Sequence, residues 1–241
     1  GFESVAVFSG PRNKVESMEL PVALAEKILK VAKGNDQAIF SIAMAGLAIC
    51  LQRYTGSSSF VIETPVFLQK IEEGISNRHL LFPFELSPIS FKEMLVKTGA
   101  TLGEIRKHQN FPSTLLKPSS AEEAFGFVYK NLQTIELLDE DLAVLELERT
   151  QENFILNVHL SETEKSNFVH GFLENYSHIL NQCLENFNGS ITDIQTLSPE
   201  QEQKISGFLA VPGDFLKGQC LDQLFESQVQ KHSEATALIF G

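Results

Sequence analysis

The chain has 241 residues, of which 43% are apolar and 21% charged, a composition typical of a globular domain with a hydrophobic core. Nineteen lysines and arginines stand against 31 aspartates and glutamates, giving a net charge of -12 at neutral pH. This balance excludes nucleic acid as the main partner, because phosphate binding needs clustered positive charge. The longest apolar run, residues 38–51, is shorter than the roughly 20 residues of a membrane span, so we expect a cytoplasmic protein without membrane contact.

The N-terminal part of the chain predicts two helices. The first begins near Pro21, a favourable first-turn residue, and ends at Gly34. The second is expected to have Asp36 as its N-cap and to end near Tyr54. Because it is apolar on nearly every side, we expect it to be buried. Cys50 lies in this helix and is predicted to be a buried free thiol.

Two strands and a long helix follow. Residues 60–64 predict a short strand closed by Pro65. Residues 79–86 predict a second strand, in which Pro83 favours a position at the edge of a sheet because proline has no N–H to donate. The helix is predicted from residue 89 to residue 107.

Three more strands are predicted in succession, at 125–132, 142–148 and 153–160. Ser161 and Glu164 then form a capping box ahead of a helix that ends near Glu185. The remaining predicted elements are a strand at 191–195, a helix from Ser198, a linker at 209–218, a helix after Cys220 and a strand at 237–240.

This order of elements predicts an α/β (α+β) fold, with one mixed sheet and helices packed on it. We expect residues 1–195 to form a single lobe, residues 196–218 a linker, and residues 219–241 a short helix–strand tail. Because the chain starts at Gly1 rather than at a methionine, we expect a fragment, a processed product or a tagged protein.

Residue chemistry alone supplies no active site. The six histidines are His79, His108, His159, His170, His178 and His232. None of them stands at a metal-ligand spacing from cysteine or carboxylate residues. Neither a phosphate-binding loop nor a nucleophile elbow occurs. The acidic stretch at 136–141 does not fit the spacing of a calcium loop, which favours a solvated loop. We therefore assign no catalytic residue and no metal ligand.

Several short motifs accompany the predicted elements in chain order. R-Y-T-G ends the second helix, E-T-P-V ends the first strand, E-E-G-I-S-N-R-H-L-L-F leads into the second strand, and H-Q-N-F-P stands at the end of the long helix. The candidate site residues in these motifs are Arg53, Tyr54, Thr55, Gly56, Pro65, Gly74, His108, Gln109 and Pro112. In this order, the motifs resemble the C-terminal lobe of the condensation domain of nonribosomal peptide synthetases. The lobes of that domain have a fold like chloramphenicol acetyltransferase.

The resemblance implies structural roles for these motif residues, with His108 capping the end of its helix. The segment 219–241 resembles the start of an adenylation domain, and Leu221, Leu224 and Phe225 would then contact the rest of that domain. The resemblance implies no cofactor in this chain, because phosphopantetheine would be carried by the carrier domains of the parent synthetase.

The departures from the family pattern bear on activity. The family's catalytic H-H-x-x-x-D-G motif belongs to the N-terminal lobe and has no counterpart here, and Glu63 stands where the family has glycine. General acid–base catalysis needs a titratable group within hydrogen-bond reach of the proton it moves. We therefore expect a partial, non-catalytic condensation domain that serves as a structural or interaction platform. Its partners would be an adjacent adenylation domain of the same polypeptide and, as a second candidate, another synthetase subunit.

Two alternatives remain open. The chain is the C-terminal half of a working condensation domain, which forms peptide bonds between carrier-bound aminoacyl groups, or, with less support, it is a stand-alone acyltransferase relative. Whether a lobe with two adjacent histidines precedes Gly1 distinguishes the first alternative from the platform.

Overall fold

A computed structural model describes residues 12–67, 78–108, 125–135, 138, 142–151, 153–161, 166–209 and 221–231. The chain divides into two compact units, one up to Ser198 and one from Pro199. The first unit contains a six-stranded mixed sheet with packed helices, which confirms the predicted fold class. The assignment of lobe, linker and tail stays a prediction.

The sheet is mixed. Its strands are β1 (Lys14–Glu19), β2 (Ser59–Pro65), β3 (His79–Glu85), β4 (Phe125–Tyr129), β5 (Val144–Arg149) and β6 (Phe154–Leu160). In space they follow the order β1-β6-β5-β4-β2-β3. The β2–β4 and β4–β5 pairs are parallel, whereas the other neighbours are antiparallel.

The two edges of the sheet differ in how well the sequence predicts them. Pro83 lies in the edge strand β3, as expected of a residue without an N–H. The other edge strand, β1, is not among the predicted elements. The charged residues Lys14, Glu16 and Glu19 hide the alternating strand pattern. They are tolerated because side chains on both faces of this edge strand can reach solvent.

The first unit contains four α-helices among its described residues, α1 (Val22–Ala32), α2 (Asp36–Thr55), α3 (Phe91–Lys107) and α4 (Ser166–Glu185). The N-cap of α2 is Asn35 and not Asp36 as predicted: the Asn35 side chain accepts a hydrogen bond from the N–H of Ala38 at 3.0 Å, while Asp36 is the first helical residue.

The predicted strand at 191–195 is wrong. Residues Ile191–Asp193 form a 3₁₀ turn, in which the Ser190 side chain accepts a hydrogen bond from the N–H of Thr192. A local serine cap therefore overrides the strand propensity of this short segment. The second unit contains α5 (Pro199–Leu209), close to its predicted start, and α6 (Leu221–Lys231). Glu164, residues 210–218 and the predicted strand at 237–240 lie outside the described residues.

Helix α2 is the centre of the core. It has 20 residues and is long and apolar enough to cross a membrane by length and composition, so the length argument made from the apolar run is wrong. Every residue from Ile39 to Leu51 is nevertheless buried within the protein, against α1, α3 and α4. Gly46 allows the close approach of α4, because a Cβ atom there would lie 2.8 Å from Leu180 Cδ1. The helix is thus a core helix.

Helices α1 to α4 share one core with a single face of the sheet, which includes Phe127, Leu145 and Leu156. The opposite face carries a smaller apolar cluster of Val128, Leu138 and Val144, which contains no helical residue among the described residues. We call this opposite side the second face of the sheet.

Candidate functional site

The R-Y-T-G segment ends helix α2. The Thr55 hydroxyl donates a hydrogen bond to the carbonyl oxygen of Leu51 at 2.9 Å. Gly56 has a φ of 73° and its N–H donates to the carbonyl oxygen of Gln52 at 2.8 Å, which satisfies a carbonyl at the helix end. A Cβ atom at Gly56 would meet nothing within 4 Å, so the positive φ, and not space, is the reason for glycine there.

Arg53 reaches from the same helix end to the 3₁₀ turn. Its Nη2 atom lies 3.0, 3.2 and 3.3 Å from the carbonyl oxygens of Ile191, Thr192 and Ile194. A guanidinium group suits this role, because it carries several donors in a planar arrangement and stays charged. The family-motif arginine is therefore engaged by backbone carbonyls.

Tyr54 connects α2 to α4. Its hydroxyl oxygen accepts a hydrogen bond from Asn175 Nδ2 at 2.8 Å, and its ring makes edge contacts with Phe168 and Phe172. Burial raises the pKa of Tyr54 to about 12, although the Asn175 hydrogen bond lowers it, so the phenol is neutral at physiological pH.

Pro65 ends β2 beside a buried glutamine that sequence reasoning did not identify. Gln133 Nε2 donates to the Thr64 hydroxyl at 2.8 Å and to the Pro65 carbonyl oxygen at 2.6 Å. Its Oε1 atom accepts the N–H of Tyr129 at 3.2 Å. Gln133 therefore joins the ends of β2 and β4, and nothing in the sequence distinguishes this glutamine from one in a solvated loop.

His108 occupies the C-cap position of α3 through its backbone. Its N–H donates to the carbonyl oxygens of Glu104 and Ile105, both at 3.2 Å, and its side chain is exposed. The other motif positions, Gly74, Gln109 and Pro112, lie outside the described residues.

A polar cluster on the second face of the sheet was also not foreseen. The Ser17 hydroxyl donates to Asn157 Oδ1 at 2.7 Å, and Asn157 Nδ2 donates to Glu146 Oε1 at 3.0 Å. His159 Nε2 lies 3.7 Å from the same carboxylate oxygen. Burial raises the pKa of Glu146, whereas hydrogen bonds from the His159 and Asn157 side chains and the charge of His159 lower it. The lowering effects together are larger, so the pKa lies below its usual value.

A second polar group fixes the start of α2. The Tyr129 hydroxyl donates to Asp36 Oδ1 at 2.8 Å, and Arg149 Nη1 lies 3.5 Å from the same oxygen. Helix α2 is thereby attached to both β4 and β5. Among the described residues, no group of three or more histidine, cysteine, aspartate or glutamate side chains could hold a metal ion.

Cys50 follows the prediction, and Cys183 has the same environment. Cys50 and Cys183 are buried free thiols, and burial raises the pKa of both. A buried thiol of raised pKa is a poor nucleophile at neutral pH.

Of the residues predicted to contact an adenylation domain, Phe225 is described with its side chain. It is 60% exposed on α6, and Val229, one helical turn later, is 46% exposed. The backbone of Leu221 and Leu224 lies in the same helix. A helix in the second unit therefore presents two apolar side chains to solvent at a spacing of four residues.

Solved condensation domains have the fold described above. The first condensation domain of the CDA synthetase matches with a TM-score of 0.61 at 14% identity, over 79% of this chain and 48% of that chain. A condensation domain from the monacolin K polyketide synthase MokA matches with a TM-score of 0.56 at 19% identity, over 79% and 52%. The four-domain nonribosomal peptide synthetase holo-AB3403 matches with a TM-score of 0.65 at 11% identity, over 81% and 19%. The chain has the fold of about half a condensation domain.

Peptide synthases are similar to this chain in sequence. Bacitracin synthase 1 of Bacillus licheniformis is 21% identical over 92% of the chain, and gramicidin S synthase 2 of Brevibacillus brevis is 19% identical over 90%. Tyrocidine synthase 3 of Brevibacillus parabrevis is 22% identical over 91%. The chain spans only 5%, 6% and 4% of these relatives. It is similar to one short region of each, and no family model matches it.

Proposed function

We propose that the chain is a partial, non-catalytic condensation domain of a nonribosomal peptide synthetase. The observation that carries this proposal is a structural match that covers most of this chain but only about half the length of a solved condensation domain. For the first condensation domain of the CDA synthetase, the match covers 79% of this chain and 48% of that chain. The absence of the family's paired-histidine motif from the 241 residues supports the non-catalytic part of it.

The proposed role is that of a platform ahead of an adenylation domain in the same polypeptide. The resemblance of residues 219–241 to the start of such a domain supports this arrangement. So do the exposed Phe225 and Val229, because solvent-exposed apolar side chains on one helix face favour burial against a partner. Another synthetase subunit is a second candidate partner.

Glu63 supports the partial-domain proposal as a polar replacement on a surface that would otherwise meet the missing lobe. Glu63 stands where the family has glycine, and it lies in β2 opposite Gly126 of β4. A carboxylate side chain there gives the second face a polar character that a glycine would not give.

In this proposal the chain itself holds no cofactor, because phosphopantetheine belongs to carrier domains of the parent synthetase. The proposed location of the protein is the cytoplasm.

The alternative is the C-terminal half of a working condensation domain. It is favoured by the same half-length match, since a complete domain would supply the other half. The coding sequence upstream of Gly1 distinguishes the two: a preceding lobe with H-H-x-x-x-D-G supports the alternative, and a different upstream sequence supports the platform.

Deletion tests the platform. The parent polypeptide with and without residues 1–195 is compared for soluble yield and for amino-acid-dependent pyrophosphate exchange. We expect deletion to lower at least one of them, because a platform stabilises its neighbour through contact. Unchanged values in both assays would show that the platform role is wrong.

A further inference from the structure

The segment that follows α4 is attached to the start of α3 by its backbone. The N–H of Lys92 donates to the carbonyl oxygen of Phe187 at 3.0 Å, and the N–H of Ile191 donates to the carbonyl oxygen of Ile89 at 2.9 Å. A β-bridge joins Ser90 to Ser190. Residues 187–191 are thus held by residues 89–92, at the start of α3, although they belong to no long element.

Two side chains hold the last part of this segment. Arg53, from α2, donates to three of its carbonyl oxygens, as described above. Gln182, from α4, forms a reciprocal pair with the backbone of Gln195: its Nε2 donates to the Gln195 carbonyl oxygen at 2.7 Å, and its Oε1 accepts the Gln195 N–H at 3.1 Å. These contacts end three residues before Ser198, the last residue of the first unit.

The geometry indicates a positioning role beyond ordinary loop packing. Long polar side chains lose rotamer entropy when they are fixed, and here two of them, Arg53 and Gln182, are fixed by hydrogen bonds to one short segment. Arg53 Nε is buried without a hydrogen-bond partner, so the guanidinium is oriented toward the carbonyls of the segment at the expense of that nitrogen. Ile191 and Ile194 add buried apolar anchors within the same stretch.

We propose that Arg53 and Gln182 form an exit clamp, which fixes the point at which the chain leaves the first unit. This inference rests on the proposed platform function, because a platform can position a following domain only if its own last residues are held. Arg53, a residue of the R-Y-T-G motif, is then a positioning residue for the downstream chain.

Amide hydrogen exchange on the full 241-residue chain tests the clamp. Each variant is read at an amide whose own hydrogen bond it leaves intact. Arg53→Met leaves the bond from the Gln195 N–H to Gln182 Oε1 in place. Gln182→Ala removes that bond but leaves the bond from the Asp193 N–H to the carbonyl oxygen of Ser190 in place. We expect exchange to rise about tenfold at Gln195 in the first variant, since a lost hydrogen bond to a charged group is worth about that factor in a local opening equilibrium. We expect a rise of about tenfold at Asp193 in the second variant, where the two neutral hydrogen bonds of Gln182 are lost together.

Arg149→Met is the matched control, because Arg149 is also a half-buried arginine, but its partner is the carboxylate of Asp36 at the other end of α2. It should leave exchange at residues 191–195 unchanged. Arg53→Lys should give an intermediate rate, because the ammonium keeps the charge and its N–H donors but carries them on a flexible stem instead of a planar group. If Arg53→Met unfolds the whole unit, which exchange of the buried α2 amides would show, Arg53→Lys and Gln182→Ala decide the question.

The clamp is wrong if neither clamp variant raises exchange at residues 191–195, or if the control raises it equally. These outcomes do not depend on the platform. Failure of the deletion test with raised exchange in the clamp variants would refute the platform role and leave the fixed exit point in place.

Discussion

Gly126 offers a sharp test of how closely the second face is packed. A Cβ atom at Gly126 would lie 2.6 Å from Val144 Cγ2 and 3.1 Å from both Leu138 Cδ1 and Leu142 Cδ2. Three side chains from the neighbouring strand and loop would therefore have to move. Overpacking of a well-filled site typically costs about 1–3 kcal/mol, so Gly126→Ala should lower the free energy of unfolding by about that amount.

Urea denaturation followed by tyrosine fluorescence measures this change in the first unit alone. The chain has no tryptophan and three tyrosines, Tyr54, Tyr129 and Tyr176, which all lie in the first unit. The matched control is Gly99→Ala in α3, where a Cβ atom would meet nothing within 4 Å. That substitution should stabilise by about 0.5–1 kcal/mol, because alanine is the better helix former.

The cause can be checked with Val144→Ala, which removes the nearest clashing atom. If crowding is the reason, Gly126→Ala should cost less in the Val144→Ala background than in the original chain, giving a coupling energy of about 0.5 kcal/mol or more. A loss below about 0.5 kcal/mol for Gly126→Ala, or full additivity with Val144→Ala, would refute the packing argument.

Three further predictions follow from the site and the proposed function. The folded-state pKa of Glu146 lies below its unfolded value, so the ionised side chain stabilises the fold above the unfolded pKa, and this stabilisation is lost as pH falls through the folded-state pKa. Glu146→Gln should therefore reduce the fall in the free energy of unfolding at acid pH. An unchanged fall would contradict this. In the parent polypeptide, Phe225→Asp with Val229→Asp should lower soluble yield or pyrophosphate exchange, whereas the equally charged Gln228→Asp with Gln230→Asp should not; equal effects would exclude an apolar contact. The purified chain should form no peptide bond between carrier-bound aminoacyl groups, and product in a mass-spectrometric assay would refute the non-catalytic proposal.

The described elements show which features were accessible from sequence. Helix α2 was predictable because its apolar residues continue around the helix, and only a buried helix tolerates that pattern. Pro83 indicated an edge strand because a missing N–H is a local property of one residue. The R-Y-T-G segment carried its own helix end, since Thr55 and Gly56 act on carbonyls within the same turn.

Features that depend on distant partners were decided by the tertiary structure. Strand β1 forms because β6, far along the chain, supplies its hydrogen bonds, and its charged side chains conceal this from sequence. The stretch at 191–195 has strand-like residues, yet the carbonyl oxygen of Ile191 is bound by the distant Arg53 and not by a neighbouring strand. Gln133 likewise becomes a buried connection only when β2 and β4 are brought side by side. Local preferences act over one or two turns of chain, whereas these hydrogen bonds join residues more than 60 positions apart. Their formation depends on which surfaces the core brings together.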